Sequence, residues 1–80
     1  MMITSPTIFD TIESGSFTAD EAMEIDAKLS LVQVQDIPEH QVKSMMDYID
    51  FRFLHNAVVP AIKADLENLQ NAASRLRLSP

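Results

Sequence analysis

Asp36 and His40 stand four residues apart. On a helix that spacing brings two side chains to one face. A carboxylate beside an imidazole is the beginning of a metal site. A zinc or iron site needs three or four ligands, and no third one is near. The other histidine, His55, lies well downstream. The chain has no cysteine, which removes thiolate ligands and Cys–His nucleophiles together. Serines such as Ser14, Ser16, Ser30, Ser44 and Ser74 stand in no strand–turn–helix elbow. A single glycine, Gly15, cannot build a phosphate-cradling loop. The carboxylate pairs Asp47/Asp50 and Asp20/Glu24 fall on the outer faces of expected helices, where water keeps them ordinary. The sequence therefore reads as no enzyme: no catalytic residues, no metal ligands and no cofactor-binding residues are assigned.

Charge says more about partners than about chemistry. The net charge is −6, from twelve acidic and six basic side chains. Asp10, Glu13, Asp20, Glu21, Glu24, Asp26, Asp36, Glu39, Asp47 and Asp50 all fall in the first fifty positions, with only Lys28 and Lys43 against them. Phosphate backbones attract Lys and Arg, so this balance argues against direct nucleic-acid binding. The acidic half reads as solvated helix faces, or alternatively as a surface aimed at a basic site on another protein. No stretch reaches 18 apolar residues, so no membrane span is expected. The first eleven residues lack a basic start and a long apolar run, which does not fit a secretory signal. With the absence of cysteine, this implies a cytoplasmic setting.

The elements that would position any site are helical. Ser5-Pro6 suits an N-cap followed by Pro at the first helical position, and Gly15 suits a left-handed helix end, giving a first helix over about 6–13. Thr18-Ala19-Asp20-Glu21 matches a capping box, with Phe17 placed to staple onto Ala22. Ala22, Ile25, Leu29 and Val32 then recur at helical spacing, giving a second helix over about 18–33. Asp36-Ile37-Pro38-Glu39 repeats the start pattern and opens a third helix over about 37–58. Its polar stripe is Lys43, Asp47 and Asp50. The alternating runs at 29–35 and 49–53 also fit short strands, but one glycine leaves little for the turns of a sheet. Ile62, Leu66, Leu69, Ala73 and Leu76 form a 4-3-4-3 seam on a fourth helix over about 60–77. Pro60 stands before that seam. It makes either a turn between two helices or a kink within one. A kinked rod over 38–77 would be about 60 Å long at ~1.5 Å per residue and would need a second copy to cover its apolar side. A turn would permit a monomeric bundle.

The expected fold is all-α: one small domain over residues 1–80, three or four helices, a bundle completed by homodimerisation. An 80-residue chain buries only about 60% of its unfolded surface and has no disulfide to brace it. The expected interface comprises Val42, Met45, Met46, Ile49, Phe51, Phe53, Leu54, Ile62, Leu66, Leu69, Ala73 and Leu76. The expected partners are a second copy and another protein, with no nucleic acid, membrane or small-molecule substrate. The function implied is a non-enzymatic protein-binding module: an acidic helical adaptor, regulator or inhibitor. Two alternatives share the pattern, an acidic antagonist of a nucleic-acid-binding protein and a structural component of a larger bacterial or phage assembly. In type the chain resembles small bacterial and phage accessory proteins that act by binding.

Overall fold

Threonine side chains open two of the helices. The computed structural model describes residues 7–78, and the side chains of 7–76. Helix α1 spans Ile8–Ser14 and is opened by Thr7, whose Oγ1 accepts from the Asp10 N–H at 3.3 Å while the Asp10 carboxylate accepts from the Thr7 N–H at 3.3 Å. This is a capping box with Asp in the Glu role. The expected cap at Ser5-Pro6 lies outside the described residues. Gly15 closes α1 at φ 70°, donating to the Thr11 and Ile12 carbonyls, the left-handed conformation that Gly adopts at little cost.

Helix α2 spans Ala19–Leu29 and starts where the sequence places it, with Thr18 and Glu21 reciprocally bonded at 3.1 and 2.7 Å. It stops about four residues before the expected end. Continuing the helix would turn Val34 roughly 140° away from the Leu29 face. Leaving it early lets Val32, Val34 and Ile37 all reach the core, while Leu31 faces solvent. Two single 3₁₀ turns follow, Val34–Asp36 and Glu39–Gln41, separated by extended backbone at Ile37 and Pro38. Proline disfavours helix at the residue before it, so α3 begins only at Val42 and runs to Leu54. The expected third helix over 37–58 is thus shortened at both ends.

Its C-terminal end settles the alternatives at Pro60 in favour of a turn. Asn56 takes the left-handed conformation at φ 53°. The Asn56 N–H donates to the Phe53 carbonyl at 2.9 Å and the Ala57 N–H to the Arg52 carbonyl at 3.0 Å. This 5→2 and 6→1 pair is the Schellman closure, here with Asn where Gly is commoner. Pro60 then occupies the first position of α4, Pro60–Leu78, where its missing N–H has no intrahelical partner to lose. The longest dimension is 36 Å, far short of the rod alternative.

The four helices form a compact all-helical globule with no strand among the described residues. Its core draws Phe9 and Ile12 from α1, Ile25 and Leu29 from α2, Met45 and Ile49 from α3, and Leu66, Leu69 and Ala73 from α4. Ile37 and Val58 seal it from the connections.

The Asn56 turn gives the first prediction. Asn56→Gly should keep or slightly raise stability, whereas Asn56→Val should lower it by about 1–2 kcal/mol, the cost of a left-handed residue bearing a branched side chain. Urea denaturation followed by circular dichroism reads both; equal stability of the two variants would contradict the assignment of this turn.

Candidate functional site

Two amphipathic helices carry one charge each on the wrong side. On α2, Asp26 lies among Ala22, Ile25 and Leu29, and on α3, Arg52 continues the face of Met45, Tyr48 and Ile49. These faces meet. Asp26 is 1% exposed and Arg52 8%. The Arg52 Nη2 donates to Asp26 Oδ2 at 2.6 Å, and its Nε lies 3.2 and 3.1 Å from Oδ1 and Oδ2. The Tyr48 hydroxyl donates into the same cluster, 2.6 Å from Asp26 Oδ1 and 2.9 Å from the Ala22 carbonyl. Arg52 Nη2 also reaches the Ala57 carbonyl at 3.3 Å, tying α2 to the turn before α4. Burial, then the hydrogen bond to Asp26, pushes the Tyr48 phenol well above its ordinary value, and the same carboxylate raises the Arg52 guanidinium.

Perturbed groups often mark chemistry, but here the shifts have a structural cause. Its three polar side chains are buried and satisfy one another, and no buried side-chain nitrogen or oxygen among the described residues lacks a partner. It is a structural lock. By composition Asp26 belongs with the solvated acids; the structure buries it instead, because it stands on the seam that carries Ala22, Ile25 and Leu29. A second polar anchor joins α1 to the start of α3. The buried Gln41 donates to Asp10 Oδ1 at 2.8 Å and to Glu13 Oε1 at 3.0 Å, holding the Asp10 carboxyl below its ordinary value, chiefly through that bond.

The accessible surface is of another kind. Phe51 is 55% exposed and Leu54 80%, neighbours at i and i+3 on the outer face of α3. The His55 ring lies against Phe51 with centroids 4.4 Å apart. Phe51 forms one wall of a groove of about 380 Å³ between α3 and the α1–α2 connection, lined also by Ile12, Phe17, Tyr48, Glu13 and Asp47. Phe17 packs edge-on to Tyr48 at 5.6 Å, so the floor of the groove rests on the ring that bonds Asp26.

The twelve residues expected at an interface divide. Val42, Met45, Ile49, Leu66, Leu69 and Ala73 are buried within this single chain, Met46, Phe53 and Ile62 are half-buried against the core, and Phe51, Leu54 and Leu76 are exposed. The Pro60 turn is the cause: it folds the 4-3-4-3 seam of α4 back toward α3. Asp36 and His40 fall in separate 3₁₀ turns with extended backbone between them, so their helical spacing is not realised. Both histidines are exposed. Among the described residues no three His, Asp or Glu side chains gather as metal ligands, and no helix is long and apolar enough to cross a membrane. No family model, curated protein sequence or solved structure matches the chain.

Two predictions test the lock. Asp26→Asn should lower stability by about 3–5 kcal/mol, since it strands a buried guanidinium, whereas the double variant Asp26→Leu/Arg52→Met should lose less than the single one; urea denaturation of the three proteins decides. Tyr48 is the only tyrosine, so phenolate absorbance at 295 nm reports it alone. The unfolded chain should ionise it near pH 10 and the folded protein only at higher pH. Because the folded value is raised, this stabilisation is present below about pH 10 and falls as pH rises beyond it. Tyr48→Phe should flatten that fall; a native titration at the ordinary value would refute the bond to Asp26.

Proposed function

We propose that this chain is a non-enzymatic protein-binding module, an adaptor, regulator or inhibitor that acts by covering part of a partner's surface through the outer end of α3. The observation that carries this reading is the exposed pair Phe51–Leu54 beside an apolar groove. A lone exposed apolar residue, such as Leu31 or Met23, needs no explanation. Two that adjoin each other and continue into a groove form a patch of the kind that marks interaction sites, and aromatic side chains are favoured anchors in such sites.

A homodimer through the same end of α3 is the second reading, favoured by the 80% exposure of Leu54. The fold lessens the need for it, because Leu66, Leu69 and Ala73 of the α4 seam are buried within one chain.

A photo-crosslinking residue at position 54, introduced in the native host, should give a discrete adduct with another protein that a crosslinker at the exposed Ala27 on α2 does not give. Leu54→Ser and Phe51→Ser should abolish the interaction while changing stability by no more than about 0.5 kcal/mol, as for other exposed positions. Adducts identical from positions 54 and 27 would refute the reading. An adduct of twice the chain mass, lost on Leu54→Ser, would assign the patch to the homodimer.

A further inference from the structure

The groove beside Phe51 carries charge of one sign only. Its charged lining residues are Glu13 and Asp47. Glu13 accepts from Gln41, a neutral donor that adds no positive charge. Asp47 is bridged to Lys43 at 2.9 Å, but both side chains are more than half exposed, and an i,i+4 pair so open to water is weak and easily exchanged. The apolar and aromatic lining residues of the same groove are Ile12, Phe17, Tyr48 and Phe51. A groove that joins apolar side chains to two carboxylates and no cation is complementary to an apolar side chain flanked by Lys or Arg. The floor is also rigid: Tyr48 is fixed by Asp26, and Glu13 is held by the buried Gln41, so little ordering is required on binding.

We infer that the occupant of this groove is a cationic amphipathic segment of a partner protein, an apolar side chain entering between Phe17 and Phe51 while basic residues reach Glu13 and Asp47. This rests on the protein-binding reading above and goes beyond it by fixing the partner's chemistry. Leu54 and the His55–Phe51 stack extend the same surface along the segment.

The test titrates the full ¹⁵N-labelled chain with three synthetic helix-forming peptides: a Leu/Lys amphipath, its Leu/Glu counterpart and a Ser/Lys version without the apolar face. The Leu/Lys peptide should shift amides of residues 12–17 and 44–55, and the other two should not. Glu13→Gln/Asp47→Asn should weaken binding by about tenfold, as expected for two exposed ion pairs, and rising salt should weaken the wild-type complex to a similar degree. Glu24→Gln/Glu67→Gln, outside the groove, should leave it unchanged. Equal binding of the Leu/Glu peptide would overturn the inference, as would an equal effect of the two double variants, which would mean diffuse attraction to an acidic protein. Groove amides that shift with protein concentration alone would assign the site to a second copy and overturn it too. Crosslinking at position 54 that persists, salt-insensitive, in Glu13→Gln/Asp47→Asn would remove the cationic partner while leaving the protein-binding reading intact.

Discussion

A carboxylate and a guanidinium that have both left water are committed to each other, because separating them strands a charge at a cost larger than either could recover elsewhere in the core. Asp26 and Arg52 hold that position here, and three parts of the fold meet at them. Asp26 belongs to α2, Arg52 to α3, and the second Arg52 contact is the Ala57 carbonyl of the turn that launches α4. Apolar packing alone tolerates sliding, since one methyl group substitutes for another at a facing helix. A bidentate pair does not: a shift of one turn along either helix moves the partner by about 5.4 Å, beyond hydrogen-bond reach. In a chain with no disulfide, the pair is satisfied in one register of α2 against α3, where its geometry and the Tyr48 hydroxyl meet both charges.

Much of the helical framework was legible in the sequence because its signals are local. The Thr18–Glu21 box and the Gly15 closure each depend on residues within about one turn, and the seam after Pro60 repeats at steps of three and four, so composition and spacing suffice to place them. The ends of α2 and α3 were misplaced for a different reason. Whether a helix stops at Leu29 depends on where Val34 and Ile37 must go, which is a tertiary demand that overrides local propensity. Asn56 was legible only in retrospect: as a polar residue it hinted at a turn, but its left-handed conformation is shared by few non-glycine residues. The buried cluster was missed because acidic residues in an acidic half read as solvent-facing by default. The signal was present in position rather than type, Asp26 being four residues after Ala22 and three before Leu29, on the face that has to be dry.

The same displacement of polarity explains the surface. The inner faces of α2 and α3 bury an ion pair and a tyrosine, while the outer face of α3 exposes a phenylalanine and a leucine. Arg52 is inside and its neighbours Phe51 and Leu54 are outside because the helix turns about 100° per residue, and the face that meets Asp26 fixes where every other residue of α3 points. Rotating α3 to bury Phe51 would pull Arg52 away from Asp26. The exposed patch is therefore held in place by the buried pair, and the apolar surface persists because the fold cannot absorb it without breaking the lock.

That coupling bears on how such a surface would work. Tyr48 contributes to both sides: its hydroxyl is bonded to Asp26 in the core, and its ring underlies Phe17 and lines the groove. A groove whose floor is bonded to a buried carboxylate has little freedom to close on itself in the absence of a partner. Small proteins with loosely packed surfaces lose affinity to the ordering of side chains on binding; here the anchor residues of α1, α3 and the intervening connection are ordered beforehand, by Gln41 at one end and by the Asp26–Arg52 pair at the other. The polar contacts at the centre of this chain satisfy one another within the core, and their structural consequence is a partly apolar surface held beside Glu13 and Asp47.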